Sequence, residues 1–307
     1  MVKNAIRTFF KQLFKNRLKR SVQAIFKLYG ILFPLQRPIF VIGLNRSGTS
    51  IFTRLMSKSS EIVNWSEANE MWDPVGFPWE ADKIPHPFWA IDPQGYINST
   101  FAAVRPSYFK SIPGMCAMFL GVHKGINGDA RFLNKSPMNT LRVDLVHSLF
   151  PDACFISLNR DPRAVVRSWI EKIQPKLEKH PRSGVETIDE DFQIFKVDGV
   201  KYKRLEMIKL LSASYCYVVK RQMEQLEKIP DEQKYYTSYE DFGRNMHRVL
   251  REIDRKFGLN SEKRIWRQIP KTLENRNIKF KNELSIVEID TIVSRCKKMM
   301  EQLNYEI

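Results

Sequence analysis

Pro38-Ile39-Phe40-Val41-Ile42-Gly43-Leu44-Asn45-Arg46-Ser47-Gly48-Thr49-Ser50 is the stretch on which the reading of the 307-residue chain turns. Residues 38–42 are a continuous apolar run ended by a glycine. A parallel strand buried on both faces requires such a run, because neither side of it meets water. Residues 49–58 then read as a helix. Between strand and helix lies a turn rich in glycine and hydroxyl side chains. Glycines let the backbone turn tightly, so successive N–H groups point at one anion, and the helix N-terminus adds its dipole. Ser47, Thr49 and Ser50 supply hydroxyl donors, and Arg46 supplies a cation inside the loop.

Outward from this unit the pattern stays α/β. Residues 131–134 read as a short strand. Ser136-Pro137 places proline at a first helical position and opens a helix to about Leu149. Residues 153–159 (ACFISLN) are a second buried strand, and Asp161-Pro162 opens a helix through Lys172. Lysine-rich residues 174–202 read as a surface excursion. A long helix over 205–226, a strand over 235–239 and a helix over 245–257 closed by Gly258 follow. Ser285-x-x-Glu288 is a capping box for the last helix. Alternating strands and helices predict a three-layer α/β fold, with a mostly parallel central sheet and helices on both faces. Residues 71–113 are rich in Pro, Trp, Phe and Gly without periodicity, the pattern of a lid or wrapping loop.

The chain carries a formal charge of +16, which attracts polyanions. Half of that charge stands before Arg37, as Lys3, Arg7, Lys11, Lys15, Arg17, Lys19, Arg20 and Lys27, with no acid until Glu61. Apolar residues interleave at spacings of three and four, so residues 1–36 read as a basic amphipathic segment, separate from a domain over 37–307. The apolar stretch 21–35 is too short to span a bilayer. The segment suits an anionic membrane surface; packing on the domain with a solvated basic face is the competing reading. A cytoplasmic location, peripheral on the membrane's cytoplasmic face, is the corresponding expectation. Cys116, Cys154, Cys216 and Cys296 are scattered, as buried thiols are. His86, His123, His147, His180 and His247 show no ligand-like spacing, and no metal is expected. No zinc finger, helix-turn-helix or RNP motif accompanies the charge, so no nucleic-acid partner is expected.

By spacing, Gly43-x-x-x-x-Gly48 resembles a Walker A loop, which implies a P-loop-like fold. The lysine of that pattern is replaced by Thr49, and without it β/γ-phosphate chemistry lacks its point charge. The sequence R-S-G-T-S from Arg46 to Ser50 resembles instead the 5′-phosphosulfate loop of the sulfotransferases, which use 3′-phosphoadenylyl sulfate (PAPS) as donor. A second match lies downstream, where Arg160-Asp161-Pro162-Arg163 with Ser168 follows a strand. It resembles the family's 3′-phosphate segment, in which a guanidinium fork and a hydroxyl meet a dianion. Tyr239-Glu240-Asp241-Phe242 resembles the family's Y-E-D-L, which adds Tyr239 to the donor-binding set of Arg46, Ser47, Gly48, Thr49, Ser50, Arg160 and Ser168.

The resemblance also suggests the chemistry. Asn134-Lys135-Ser136-Pro137 looks like the N-K-x-P of the tyrosylprotein-type and bacterial branch, which makes Lys135 a catalytic cation beside Arg46. Pro137 stands where other branches carry a histidine base. Glu67, 21 positions after Arg46, matches the glutamate base of the tyrosylprotein branch, and Glu70 is its rival. A glutamate base works best with its pKa raised toward neutrality, and Trp65 and Trp72 are candidates for an apolar wall. The expectation is sulfuryl transfer from PAPS to a hydroxyl or amine of a small-molecule, glycan or lipid acceptor, without a metal. A P-loop phosphotransferase or kinase, and a non-enzymatic basic protein binding membrane or nucleic acid, are the alternatives.

Overall fold

Five parallel strands in the order β2-β3-β1-β4-β8 form the central sheet of the computed structural model. The structure describes residues 36–67, 123–178, 184–189, 192–197 and 199–307, with the single positions 28, 32 and 121. The strands are β1 (Ile39–Ile42), β2 (Ile62–Asn64), β3 (Arg131–Lys135), β4 (Cys154–Asn159) and β8 (Lys234–Ser238). Strand β1 lies between β3 and β4, so the loop leaving it opens at the middle of the sheet edge, between the carboxyl ends of its neighbours. Open α/β sheets bind ligands at such a point.

Alternation along β1 divides the core. Ile39 and Val41 face one side with Ile156 and Leu158 of β4. There they meet Phe52 and Leu55 of α1 (Thr49–Met56), and Val249 and Ile253 of a helix over Met246–Phe257. Phe40 faces the other way, 5.9 Å from Phe155 and 6.3 Å from Phe132 between ring centroids. Helix α2 (Val143–Leu149) follows β3. A second cluster joins α3 (Pro162–Leu177), α4 (Arg204–Glu227) and the C-terminal helix Ile286–Gln302. Inside it, Gln222 of α4 donates to the Ser157 hydroxyl of β4 at 2.6 Å. The three-layer, P-loop-like architecture expected from the sequence is the one observed.

Local signals held where their hydrogen bonds formed. Ser285 accepts from the Glu288 N–H, and Glu288 in turn accepts from the Ser285 N–H. Gly258 closes α6 (Met246–Phe257) in the left-handed conformation, at φ 69°; α5 (Tyr239–Arg244) precedes it. Helix α3 begins at Pro162 as expected but runs on past Lys172 to Leu177. The single helix expected after Ser136 is two pieces, a 3₁₀ turn over Pro137–Leu141 and α2, separated at Arg142. Ser136 makes no capping bond.

Two strand features departed from the sequence reading. Strand β2, only three residues long, was not expected. The excursion expected over 174–202 holds a three-stranded antiparallel sheet, β5 (Gly184–Asp189), β6 (Phe192–Val197) and β7 (Val200–Lys203). Phe195 and Val197 point from it into the second core cluster, while Lys201 and Lys203 of β7 are exposed. Glu70, Trp72, Cys116 and the aromatic segment 71–113 lie outside the described residues, as does almost all of segment 1–36. No helix among the described residues is long and apolar enough to cross a membrane.

Candidate active site

The loop after β1 owes its shape to two glycines. Gly43 sits where a Cβ would strike the Leu158 carbonyl of the neighbouring strand. Gly48, at φ 91°, caps α1 in a left-handed conformation, and a Cβ there would stand 2.5 Å from the Tyr239 ring. Arg46 also has a positive φ, of 73°. Thr140 holds the loop's base, its hydroxyl accepting from the Gly43 N–H at 2.9 Å. Ser47 turns inward and donates to the Leu44 carbonyl at 2.5 Å, so its hydroxyl closes the turn. Thr49 is buried, whereas Ser50 and Arg46 are exposed.

Residues far apart in sequence converge on this loop. Arg46 Nε donates to the Ser168 hydroxyl on α3 at 2.8 Å. Arg160, at the end of β4, donates through Nη1 to the Arg46 carbonyl at 2.8 Å and through Nε to Asn277 at 2.9 Å. Its guanidinium lies 4.2 Å from the centroid of the Tyr239 ring. Burial pulls the Arg160 guanidinium below its usual range, and Tyr239 and Glu240 act the other way. Glu240 ties the group together. It accepts from the Asp161 N–H at 3.1 Å, from Asn277 Nδ2 at 2.6 Å and from the Tyr305 hydroxyl at 3.2 Å. Tyr305 is pushed far above the usual phenol range by burial and then by Glu240.

Loop, β4 end and α3 enclose a cavity of about 670 Å³, within the usual size for small-ligand sites. Among the described residues, seven basic side chains line it against two acidic ones, Glu171 and Glu274. Arg46, Gly48, Thr49, Ser50, Arg160, Ser168 and Tyr239 of the expected donor set all border it. Arg167, Arg276 and Lys279 also border it and were missed. The last two come from the chain around α7 (Ile278–Glu283), where no local motif announces them.

A second cavity, of about 600 Å³, meets the first at Ser50 and Arg54 of α1, which border both. Lys135 and Glu67 line it, joined by a 2.7 Å ion pair. The N-K-S-P segment builds this pair from one side. Asn134 Nδ2 donates to the carbonyls of Ser66 and Glu67 at 2.9 and 3.0 Å, and Asn139 orients the amide by donating to its oxygen at 2.8 Å. The Lys135 N–H bonds the same Ser66 carbonyl at 2.8 Å. Ser66 takes a positive φ of 55°, and its N–H is held by Asn64 Oδ1. The Trp65 indole donates to His123 Nδ1 at 2.7 Å and packs on Phe132, with 6.0 Å between centroids.

A model of the sulfotransferase family matches residues 38–263, most of the chain. The chain belongs to that family. The sulfotransferase is 25% identical over 166 residues to a putative protein-tyrosine sulfotransferase of Caenorhabditis briggsae. That alignment covers 54% of this chain, which spans about half the length (52%) of the relative. Among solved structures, the sulfotransferase domain of the curacin biosynthetic pathway covers 89% of this chain and 99% of its own, at TM-score 0.53 and 15% identity. A sulfotransferase from Mycobacterium avium covers 91% and 80%, at TM-score 0.51 and 14% identity. These likenesses support the fold.

Proposed function

We propose that this sulfotransferase takes PAPS in the first cavity and transfers its sulfuryl group to a hydroxyl presented in the second. The observation that carries the reading is the junction of the two cavities on the first turns of α1. A basic cavity thereby opens beside an acid–cation pair. The donor's two anionic ends need two groups of donors. The loop at Arg46–Ser50, with the start of α1, suits the 5′-phosphosulfate. Arg160 and Ser168, with Arg276 and Lys279 nearby, suit the 3′-phosphate.

In the proposed reaction the acceptor oxygen attacks sulfur in line with the bond from sulfur to the bridging oxygen. As the new S–O bond forms, that bond breaks and adenosine 3′,5′-bisphosphate leaves. The acceptor proton passes to a Glu67 carboxylate oxygen. Lys135 and Arg46 meet negative charge growing on the bridging and sulfonate oxygens, where preorganised cations act most strongly. The ion pair sets a condition on this cycle. Lys135 must exchange Glu67 for the departing oxygen as the donor enters, leaving the carboxylate free to accept the proton.

Purified protein supplied with ³⁵S-labelled PAPS and a cell extract should release bisphosphate and label an acceptor. Turnover of labelled ATP with none of PAPS would overturn the reading in favour of a phosphotransferase.

A further inference from the structure

The second cavity has an unusual wall. All nine of its described lining residues are polar or charged. Helix α1 contributes a polar stripe to it. Ser50, Thr53, Arg54 and Ser57 recur at spacings of three and four, the spacing of one helix face, and Lys58 follows just past the helix end.

Charge on this wall is not balanced. Glu67 is paired with Lys135 in the empty site, and once Lys135 turns to the donor, as the proposed reaction requires, Glu67 offsets one further cation. Arg54 is exposed and makes no hydrogen bond or ion pair among the described residues. Lys58 donates to the neutral amide of Gln268 at 2.7 Å. Among the described residues neither cation has a counter-charge in the empty site, and one stays unbalanced even when Glu67 is released by Lys135. The donor does not account for both, because Lys58 borders the second cavity alone and the positive charge continues away from the phosphate loop. A concave wall of one sign focuses its field and raises the local concentration of ligands of the opposite sign. A guanidinium is moreover shaped for two-point contact with a carboxylate, phosphate or sulfate.

We propose that the acceptor carries an anionic group beside the hydroxyl it offers, and that Arg54 and Lys58 bind that group. The inference rests on the second cavity being the acceptor site. It narrows the acceptor from any alcohol to an acidic one, and selects against neutral lipid alcohols and unmodified sugars.

Two measurements test it. In the first, protein saturated with adenosine 3′,5′-bisphosphate, so that the donor cavity is occupied, is titrated with inorganic sulfate by calorimetry. One sulfate site is expected, weakened about tenfold by Arg54→Gln and likewise by Lys58→Gln, the scale of losing one charge-assisted bond. Lys220→Gln, on an exposed face of α4, should leave it unchanged. No sulfate site, or one indifferent to both substitutions, overturns the proposal. In the second, the product located by its ³⁵S label is purified, desulfated by mild acid, and the freed acceptor is followed by mass spectrometry through an anion exchanger. Retention of the acceptor supports the proposal, and passage as a neutral or cationic species overturns it. Failure of the bisphosphate to bind would strike the donor assignment instead. Lys58, which borders the second cavity alone, would still report on sulfate there.

Discussion

The ring of Tyr239 stands between Gly48 and Arg160. One part of it occupies the space a Cβ on Gly48 would need, and the Arg160 guanidinium lies 4.2 Å from its centroid. The first motif and the second are thus joined by a residue of a third. Glu240, next in the chain, bonds the Asp161 N–H and fixes Asn277, which holds Arg160 Nε.

Gly48→Ala should therefore fail twice over. A Cβ residue at φ 91° is strained in the left-handed region, by about 1–2 kcal/mol. The methyl group must also displace the Tyr239 ring at 2.5 Å. Urea unfolding should show a loss of about 1–3 kcal/mol, and calorimetry weaker binding of adenosine 3′,5′-bisphosphate. Unchanged values in both would mean that loop and ring adjust freely.

Arg160→Ala should weaken the bisphosphate by about 2–3 kcal/mol, the scale of a lost charge-assisted bond. Adenosine 5′-phosphate, which lacks the 3′ group, should lose much less. An equal loss for both ligands would show that Arg160 acts through the Arg46 carbonyl it bonds rather than on the 3′-phosphate.

The loop, its helix and the second motif were legible because each is continuous in the chain. A buried strand, a turn and a cap leave an unbroken signature there. The pairing of Lys135 with Glu67 was readable only as two separate motifs, since nothing local says that β3 ends beside the loop after β2. Arg276 and Lys279 reach the first cavity by tertiary folding alone. The small sheet β5-β6-β7 was missed because the adjacent apolar residues Ile194 and Phe195 of β6 face opposite sides and break the period of two. Strand β2 is shorter than any period can show.

Asp254 and Arg264 form an ion pair that is almost wholly buried, Arg264 Nε donating to Asp254 Oδ2 at 2.9 Å. Arg264 also donates to the Met56 carbonyl at the end of α1. Removing one partner strands the other without solvent. Asp254→Ala should cost about 3–5 kcal/mol in urea unfolding. A loss under 1 kcal/mol would mean that water reaches Arg264.

His123 adds a pH dependence to the support of the Glu67 loop. Trp65 donates to its Nδ1, and Nε2–H donates to the Ala130 carbonyl at 2.6 Å, an arrangement only the neutral ring can make. Burial, as the first cause, lowers its pKa below 6.5, with Lys124 assisting and the Ala130 bond opposing. The unfolded chain therefore binds more protons just below pH 6.5, and this contribution to stability falls as pH drops through that range. Unfolding of the wild type at pH 7 and pH 5 should show the loss, and His123→Gln should show less of it. An identical pH dependence in the two proteins would assign the effect to other groups.

Glu67 and Lys135 should separate in kinetics although they share one ion pair. In the proposed reaction the proton passes to Glu67 only as the acceptor oxygen attacks, so Glu67→Gln should lower kcat by about 10²–10⁴-fold. Bisphosphate affinity should hardly change, because the amide removes no contact to the donor. In the same proposal Lys135 meets charge already present in part on the bound donor, so Lys135→Met should lower kcat and also raise the Kd for PAPS. Breaking the pair by either substitution also tests whether the pair itself restrains the site. If it does, Lys135→Met leaves a carboxylate facing the sulfonate, and donor binding falls further than the loss of one contact implies. Glu70→Gln, from outside the described residues, is the control on the choice of base. Near-normal rates for Glu67→Gln together with a collapse for Glu70→Gln would move the base there. If neither change lowers the rate by more than a few-fold, the proton acceptor lies in another segment, and the 2.7 Å pair serves to hold Lys135 rather than to take a proton.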